Sequence, residues 1–122
     1  MYEIVVERSF AGAHFLPEYP GKCRNMHGHN YHVRVYLRGA ELDRFGMLAD
    51  FGAVKATLDS VLERFDHRCL NELPEFADIP PSTEHLARTI AESMAQRDFA
   101  PARIHRVEVW ETAIQAATYY LP

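Results

Sequence analysis

One alternating stretch of the chain constrains the fold more than any other feature. From about His27 to Gly39 every second residue is a histidine, an aromatic or an aliphatic residue, which predicts a β-strand with one buried face. Because side chains two residues apart in a strand point the same way, that face carries His27, His29, Tyr31, Val33, Val35 and Leu37 in order. Its apolar end belongs in a core, and the two imidazoles lie together at its beginning.

Three further segments have the composition of strands. Tyr2–Phe10 is rich in β-branched and aromatic residues, and if the strand continues in an extended form, His14 falls on its apolar face. Ile104–Glu111 alternates in the same way, with Glu111 continuing an apolar face. Ala116–Leu121 is predicted to be the last strand.

Two amphipathic helices are predicted between the strand that ends at Gly39 and the strand that begins at Ile104. The first has apolar residues at helical spacing, namely Val54, Leu58, Val61, Leu62 and Phe65. Asp66 and His67 follow it directly. Ser82 can cap the second helix, whose apolar stripe is Leu86, Ile90 and Met94.

The resulting order, ββααββ, predicts an α+β domain with a four-stranded antiparallel sheet and two helices on one face. A chain of 122 residues is long enough for one core and too short for two, so we expect a single domain over residues 1–122. Such a small unit leaves sheet edges and the other sheet face uncovered, which favours oligomerisation.

Charge and hydropathy exclude several classes of function. The net charge of −4 and the lack of a basic run argue against a nucleic-acid partner. No apolar stretch approaches the roughly 20 residues that span a bilayer, and Glu3, Glu7 and Arg8 interrupt the N-terminal segment, so we expect neither a membrane anchor nor a signal peptide. Cys23 and Cys69 are then expected to be free thiols in the cytoplasm.

The His27 and His29 pair suggests a metal site, because two imidazoles on one strand face can reach one ion. His14 can supply a third ligand if the first two strands are adjacent. Three histidines leave a zinc position open, which is typical of catalytic sites. A lone His-x-His pair is more often a chance pattern, but Gly28 between the two histidines would allow a ligand to approach the backbone closely.

The two cysteines have different surroundings. Cys23 precedes His27 by four residues and is flanked by Lys22 and Arg24, which favour a thiolate and make it a candidate general base or nucleophile. Without the neighbouring histidines it would be an ordinary loop cysteine. Cys69 resembles a small buried apolar residue.

Two further places carry carboxylates suited to chemistry. Asp66 and His67 can relay a proton if both face a pocket, although such pairs often only terminate helices. Glu111, on an otherwise apolar face, needs partners and could accept two hydrogen bonds from a planar N–H edge. The alternative for Glu111 is a solvent-exposed position at the sheet edge.

These segments together resemble the 6-pyruvoyltetrahydropterin synthase family, and within it the bacterial branch of 6-carboxy-5,6,7,8-tetrahydropterin synthases. The resemblance covers nearly the whole chain, and the matching segments are Ala13-His14, Cys23-Arg-Asn-Met-His-Gly-His29, Asp50-Phe51, Asp66-His67 with Leu70-Asn71, Pro81-Ser-Thr-Glu84 and Glu111-Thr112. The Cys-to-His segment with its upstream histidine is the specific part. The three residues between Cys23 and His27 match the bacterial branch, whereas Ser82 stands where the family often has threonine.

The resemblance implies a role for each candidate residue. It implies that zinc is bound by His14, His27 and His29, that the catalytic residues are Cys23, Asp66, His67 and Glu111, and that the pterin is bound by Glu111, Ser82 and Thr83. It also implies the tunnelling fold, assembled as a homohexamer of two stacked trimers with active sites between subunits.

The activity implied by the resemblance is that of a zinc-dependent carbon–carbon lyase. Its substrate would be 7,8-dihydroneopterin triphosphate, converted to 6-carboxy-5,6,7,8-tetrahydropterin with release of acetaldehyde and triphosphate, in 7-deazaguanine and queuosine biosynthesis. Two alternatives stay open: 6-pyruvoyltetrahydropterin synthase activity, and a pterin-binding domain with a structural zinc.

Overall fold

The alternating stretch forms one of the two longest strands of the molecule, paired with the strand before it. A computed structural model describes residues 1–122. Strand β1 spans Tyr2–His14 and strand β2 spans His27–Gly39. They pair antiparallel along their whole length, from Tyr2 opposite Gly39 to His14 opposite His27. The first strand thus extends beyond the predicted Phe10 and makes His14 a direct cross-strand neighbour of His27.

The sheet has five strands in the order β3-β1-β2-β4-β5. Strands β4 (Arg103–Thr112) and β5 (Gln115–Tyr120) continue the antiparallel pairing beyond β2. The predicted α+β class is confirmed, with one addition: β3, only Arg68–Cys69, pairs in parallel with β1. Two residues are too few to produce a period in the sequence. The backbone N–H of His67 donates to the carbonyl of Ala11, 2.6 Å away, and this bond draws the chain against β1.

Both predicted helices are present, and each begins at a side-chain cap. Helix α1 (Phe51–Glu63) follows Asp50, whose carboxylate accepts the N–H two residues later. Helix α2 (Thr83–Met94) follows Ser82, which caps it as predicted. Helix α1 lies against β1, and α2 lies against β4 and β5. Neither helix has the length and apolar content needed to cross a bilayer.

The helices divide the sheet into two different faces. On the covered face, where Tyr31, Val33 and Val35 are fully buried, strands and helices share a core of 23 apolar residues. On the open face, where His32 and Arg34 lie, no helix packs and the side chains are partly or fully exposed. The imidazoles of β1 and β2 therefore lie at one end of the covered face, beside the core.

Candidate metal centre

Four side chains converge at the end of the covered face where β1 finishes and β2 starts. They are His14, His27, His29 and Glu111, and their potential ligand atoms all lie within 4.8 Å of one another. His14 is buried, whereas the other three are partly exposed. This set, called the imidazole–carboxylate group below, includes all three histidines that the sequence predicted as ligands and adds a carboxylate. It could hold a metal ion.

Backbone carbonyls fix the orientation of two of the imidazoles. The Nδ1 of His14 lies 2.7 Å from the carbonyl oxygen of Pro81, and the Nδ1 of His27 lies 2.7 Å from that of Asn25. Because a carbonyl oxygen only accepts, each Nδ1 carries the hydrogen, which leaves a lone pair on each Nε2. A fixed tautomer of this kind is what metal-bound histidines usually have.

The Nε2 atoms of His14 and His29 have no aligned hydrogen-bond partner in the protein. The Nε2 of His29 lies 2.7 Å from Oε1 of Glu111, and the Nε2 of His14 lies 3.5 Å from the same oxygen. Despite this proximity, both buried Nε2 atoms lack an aligned hydrogen bond. Burial lowers the pKa of His29 although Glu111 opposes the shift, and the neutral imidazole is the form that binds a metal. Nitrogen and carboxylate donors of this type suit zinc.

Glu111 continues the covered face of Val107 and Val109, at an irregularity in the pairing of β4 with β5. Trp110 pairs with Ala116 and Thr112 pairs with Gln115, so Glu111 is the extra residue of a β-bulge. Its Oε2 accepts hydrogen bonds from Thr83 Oγ1 at 3.2 Å and Gln115 Nε2 at 3.3 Å. Burial acts to raise the pKa of Glu111, but Gln115, His29 and Thr83 together lower it below its ordinary value. Glu111 is therefore the carboxylate of the centre and not a solvated edge residue.

An aromatic ring and a glycine form the floor of the centre, and sequence reasoning assigned a role to neither. The fully buried Tyr31 ring lies edge-on to His14 and His29, with centroids 5.9 Å and 5.4 Å away. Gly12 leaves space for the neighbouring Phe10 ring, because a Cβ there would lie 3.3 Å from that ring, which is tighter than usual, and at an ordinary 3.5 Å from the Tyr31 ring. No period in the sequence identifies such a contact.

Close packing does not require a glycine at position 28, between the two histidines of β2. A Cβ at Gly28 would meet only the carbonyl oxygen of Gly12, at an ordinary contact distance of 3.6 Å. Gly28 lies on the open face, because its strand neighbours His27 and His29 point to the covered one.

The residue after His14 is clamped by Asn71. The side-chain amide of Asn71 accepts from the backbone N–H of Phe15 at 3.0 Å and donates to the carbonyl of Phe15 at 2.9 Å. The sequence indicated Asn71 only as part of a family segment. The clamp fixes the backbone next to a predicted ligand.

The other predicted catalytic residues lie outside the imidazole–carboxylate group of the same chain. Cys23 is on a short 3-10 turn (Lys22–Arg24) that precedes β2, and both cysteines are free thiols as predicted. Asp66 pairs with His67, with Oδ1 and Nδ1 2.9 Å apart. The Ala11 N–H, 3.0 Å from Asp66 Oδ1, is the main cause that lowers the pKa of Asp66, and His67 adds to it.

His67 and Ser82 border open space. His67 is 81% exposed and lines a cleft of about 550 Å³ at the sheet edge together with Gly28 and His29. Ser82 caps α2 and lines a larger groove of about 920 Å³ between two proline-containing loops. One chain thus brings together the three histidines, Glu111 and Thr83, and this group of mutually close ligand atoms does not include Cys23 or the Asp66–His67 pair.

Comparison with known proteins gives a consistent result. The family model described as 6-pyruvoyl tetrahydropterin synthase matches residues 3–122. A Synechocystis protein named 6-carboxy-5,6,7,8-tetrahydropterin synthase is 37% identical over 127 residues, covering 100% of this chain and 95% of that protein. A Caenorhabditis elegans protein named putative 6-pyruvoyl tetrahydrobiopterin synthase is 34% identical over 131 residues, covering 95% of this chain and 94% of that protein.

Solved structures show the same fold. The structure of Caenorhabditis elegans 6-pyruvoyl tetrahydropterin synthase matches with a TM-score of 0.87 and 32% identity, covering 100% of this chain and 98% of that one.

Proposed function

Because the chain belongs to the 6-pyruvoyl tetrahydropterin synthase family, we propose that it is a zinc-dependent carbon–carbon lyase acting on a pterin triphosphate. The proposed reaction converts 7,8-dihydroneopterin triphosphate and one water to 6-carboxy-5,6,7,8-tetrahydropterin, acetaldehyde and triphosphate, with the water supplying the second oxygen of the new carboxylate. The imidazole–carboxylate group is the observation that carries the proposal. We place the reaction in 7-deazaguanine and queuosine biosynthesis, in the cytoplasm.

In this proposal zinc is held by His14, His27 and His29. The Nε2 lone pairs of His14 and His27 support the assignment, and so does the position of His29 Nε2 within the same group. Three protein ligands leave room for the side-chain hydroxyls of the substrate. When bound, zinc supplies a Lewis acid that makes a substrate hydroxyl easier to deprotonate.

The protein's own groups then move the protons. Cys23 exchanges a proton with the substrate side chain, and Asp66 orients His67 for a relay through their 2.9 Å contact. Oε1 of Glu111 lies beside the imidazoles, where it can take a proton from a bound hydroxyl.

The pterin-anchoring role of Glu111 is less well supported by its contacts. Its Oε2 already accepts two hydrogen bonds, so both oxygens could face a planar N–H edge only if Thr83 or Gln115 released one. We therefore propose Glu111 first as an acid–base group. Pterin binding by Glu111, Ser82 and Thr83 stays a prediction.

We propose that each active site is completed by neighbouring subunits of a homohexamer. His67 is 81% exposed and is not part of the imidazole–carboxylate group of its own chain, so its imidazole is free to face a neighbouring subunit. The sheet also has two unpaired edges, along β5 and along most of β1, since β3 pairs only with Gly12 and Ala13. Edge-to-edge pairing can close a ring of copies, and two rings would stack into the predicted dimer of trimers. Sedimentation should show a hexamer, and a monomer with full activity would contradict the proposal.

A second candidate product deserves a direct test. Relatives named 6-pyruvoyl tetrahydrobiopterin synthase are about as similar to the chain as several named 6-carboxy enzymes, at 34% and 33% identity. That reaction would release triphosphate but no acetaldehyde. A pterin-binding domain with a structural zinc would release neither.

The deciding experiment uses the purified protein loaded with Zn²⁺ and given 7,8-dihydroneopterin triphosphate. We expect acetaldehyde and 6-carboxytetrahydropterin in equal amounts, measured by chromatography. The His27→Ala variant is the matched control and should form neither product. A 6-pyruvoyl product without acetaldehyde would assign the other branch, and tight pterin binding without any product would leave only the binding domain.

A further inference from the structure

We infer that Gln115 is a positioning residue that holds the Glu111 carboxylate toward the metal ligands. The inference rests on the proposed function only in taking the imidazole–carboxylate group to bind zinc. Nothing in the sequence pattern marks Gln115, which lies at the start of β5 and is exposed. The backbone register places Gln115 near Glu111, and two hydrogen bonds hold Oε2 of that carboxylate.

Gln115 lies across the β4–β5 hairpin from Glu111, at a bulge in β4. Regular antiparallel pairing would place Glu111 alone opposite Gln115, because Trp110 lies opposite Ala116. Instead Thr112 pairs with Gln115, so that Glu111 and Thr112 of β4 both lie opposite one residue of β5. Bulges bend a strand and redirect side chains, and this one lies where a carboxylate must reach three imidazoles.

The two oxygens of Glu111 have separate surroundings. Oε2 is held from two sides, by Gln115 in the hairpin and by Thr83 in the first turn of α2. Oε1 faces His29 and His14, at 2.7 Å and 3.5 Å from their Nε2 atoms. Holding one oxygen fixes the plane of the carboxylate and therefore the direction of the other. Without Gln115 the carboxylate loses one of its two restraints and can rotate away from the imidazoles.

Gln115 is the restraint that can be removed without disturbing the core. Thr83 is 8% exposed and begins a helix, whereas Gln115 is exposed at the end of a hairpin. Glu111 is the one carboxylate of the group, so its direction decides how much negative charge lies next to a bound cation. Loss of a residue that orients a metal-site group commonly weakens metal binding by about 10- to 100-fold.

The test measures Zn²⁺ affinity by competition with a chromophoric chelator, in the full-length protein and without substrate. We expect Gln115→Ala to weaken Zn²⁺ binding by about 10-fold, the lower end of that range. The neighbouring Ile114→Ala is the matched control, because Ile114 is 88% exposed in the same turn, and it should bind as the wild type does. In a Glu111→Gln background, Gln115→Ala should have no further effect on affinity, since its action passes through the carboxylate.

The outcomes separate this inference from the proposed function. An unchanged Zn²⁺ affinity in Gln115→Ala, or an equal loss with and without Glu111, would overturn the positioning role and leave the zinc proposal intact. Failure of the wild-type protein to bind Zn²⁺ would overturn both. Zn²⁺ binding without turnover would overturn only the proposed reaction.

Discussion

Polar side chains on the open face of the sheet and those of the imidazole–carboxylate group have different surroundings. On the open face, charged residues pair across strands: Glu3 lies 2.6 Å from Arg38, and Glu7 lies 2.7 Å from Arg34. On the covered face, His14 and His29 keep buried ring nitrogens without an aligned partner. Tyr31 OH and Arg34 Nε are also buried without an aligned partner, so this feature alone does not mark a ligand site. The convergence of three imidazoles and a carboxylate within 4.8 Å is what indicates a group that a ligand completes. Paired charges on an open surface need no such explanation.

Histidines of a single strand show the contrast directly. His29 faces the covered side, and burial lowers its pKa. His32 faces the open side, where its Nε2 lies 2.9 Å from Glu7 and its Nδ1 lies 2.9 Å from the hydroxyl of Ser9. The same residue type thus serves as a candidate ligand on one face and as part of a surface network on the other.

The largest expected effect comes from removing a histidine of the covered face. His29→Ala should strongly weaken zinc binding and lower the zinc content well below one per chain, because two imidazoles and the Glu111 carboxylate are then left to hold the ion. His32→Ala, on the same strand but the opposite face, should keep about one zinc per chain. Metal analysis of the purified variants measures both. An unchanged zinc content in His29→Ala, or zinc lost only in His32→Ala, would break the distinction between the faces.

Removing Cys23 should stop turnover while leaving the metal in place. General acid–base groups commonly contribute about 10²- to 10⁴-fold, so we expect a loss of about 10³-fold in kcat for Cys23→Ala. Cys69→Ala is the control and should be nearly silent in catalysis. The assay follows acetaldehyde release together with zinc content. If Cys23→Ala stays active, the proton must be moved by another group.

His67 lies exposed at the sheet edge, and we propose that it acts at the metal centre of a neighbouring subunit. His67→Ala should lower kcat by about 10²-fold without releasing zinc. Asp66→Asn in the same background should add little, because Asp66 acts through His67. Steady-state kinetics of the two single variants and the double variant test this. If the losses of kcat in the two single variants multiply in the double variant, the two residues act independently and the relay is contradicted.

The smallest effect is expected for the ion pairs of the open face. The hydrogen bond from Arg38 lowers the pKa of Glu3 below 4.5, so its contribution to stability is present above about pH 4.5 and is lost as the pH falls below that value. Glu3→Gln should cost at most about 1 kcal/mol near pH 7, as exposed pairs usually do. Urea denaturation at pH 7 and below about pH 4.5 measures the free energy of unfolding, and the values for the variant and the wild type should converge in acid. A cost that grows in acid would show that Glu3 acts by another route.

Much of the fold could be predicted from the sequence because it depends on local periodicity. The alternation in β2 placed His27 and His29 on one face, and the helical spacing of apolar residues located α1 and α2. The family segments were sufficient to recognise the family that the comparisons show. Each of these signals lies within one strand, helix or short segment.

Tertiary structure decided what no local pattern records. The full-length register of β1 and β2 put His14 opposite His27, and the pairing of β2 with β4 brought Glu111 to the same end of the covered face. The partners that orient these groups include two backbone carbonyls, which any residue could supply, and Gln115, which is close only through the hairpin. A sequence reports which face a side chain prefers, because that preference repeats along the chain. The distance between two faces or two strands depends on register and backbone path, and these are set only when the whole sheet has formed.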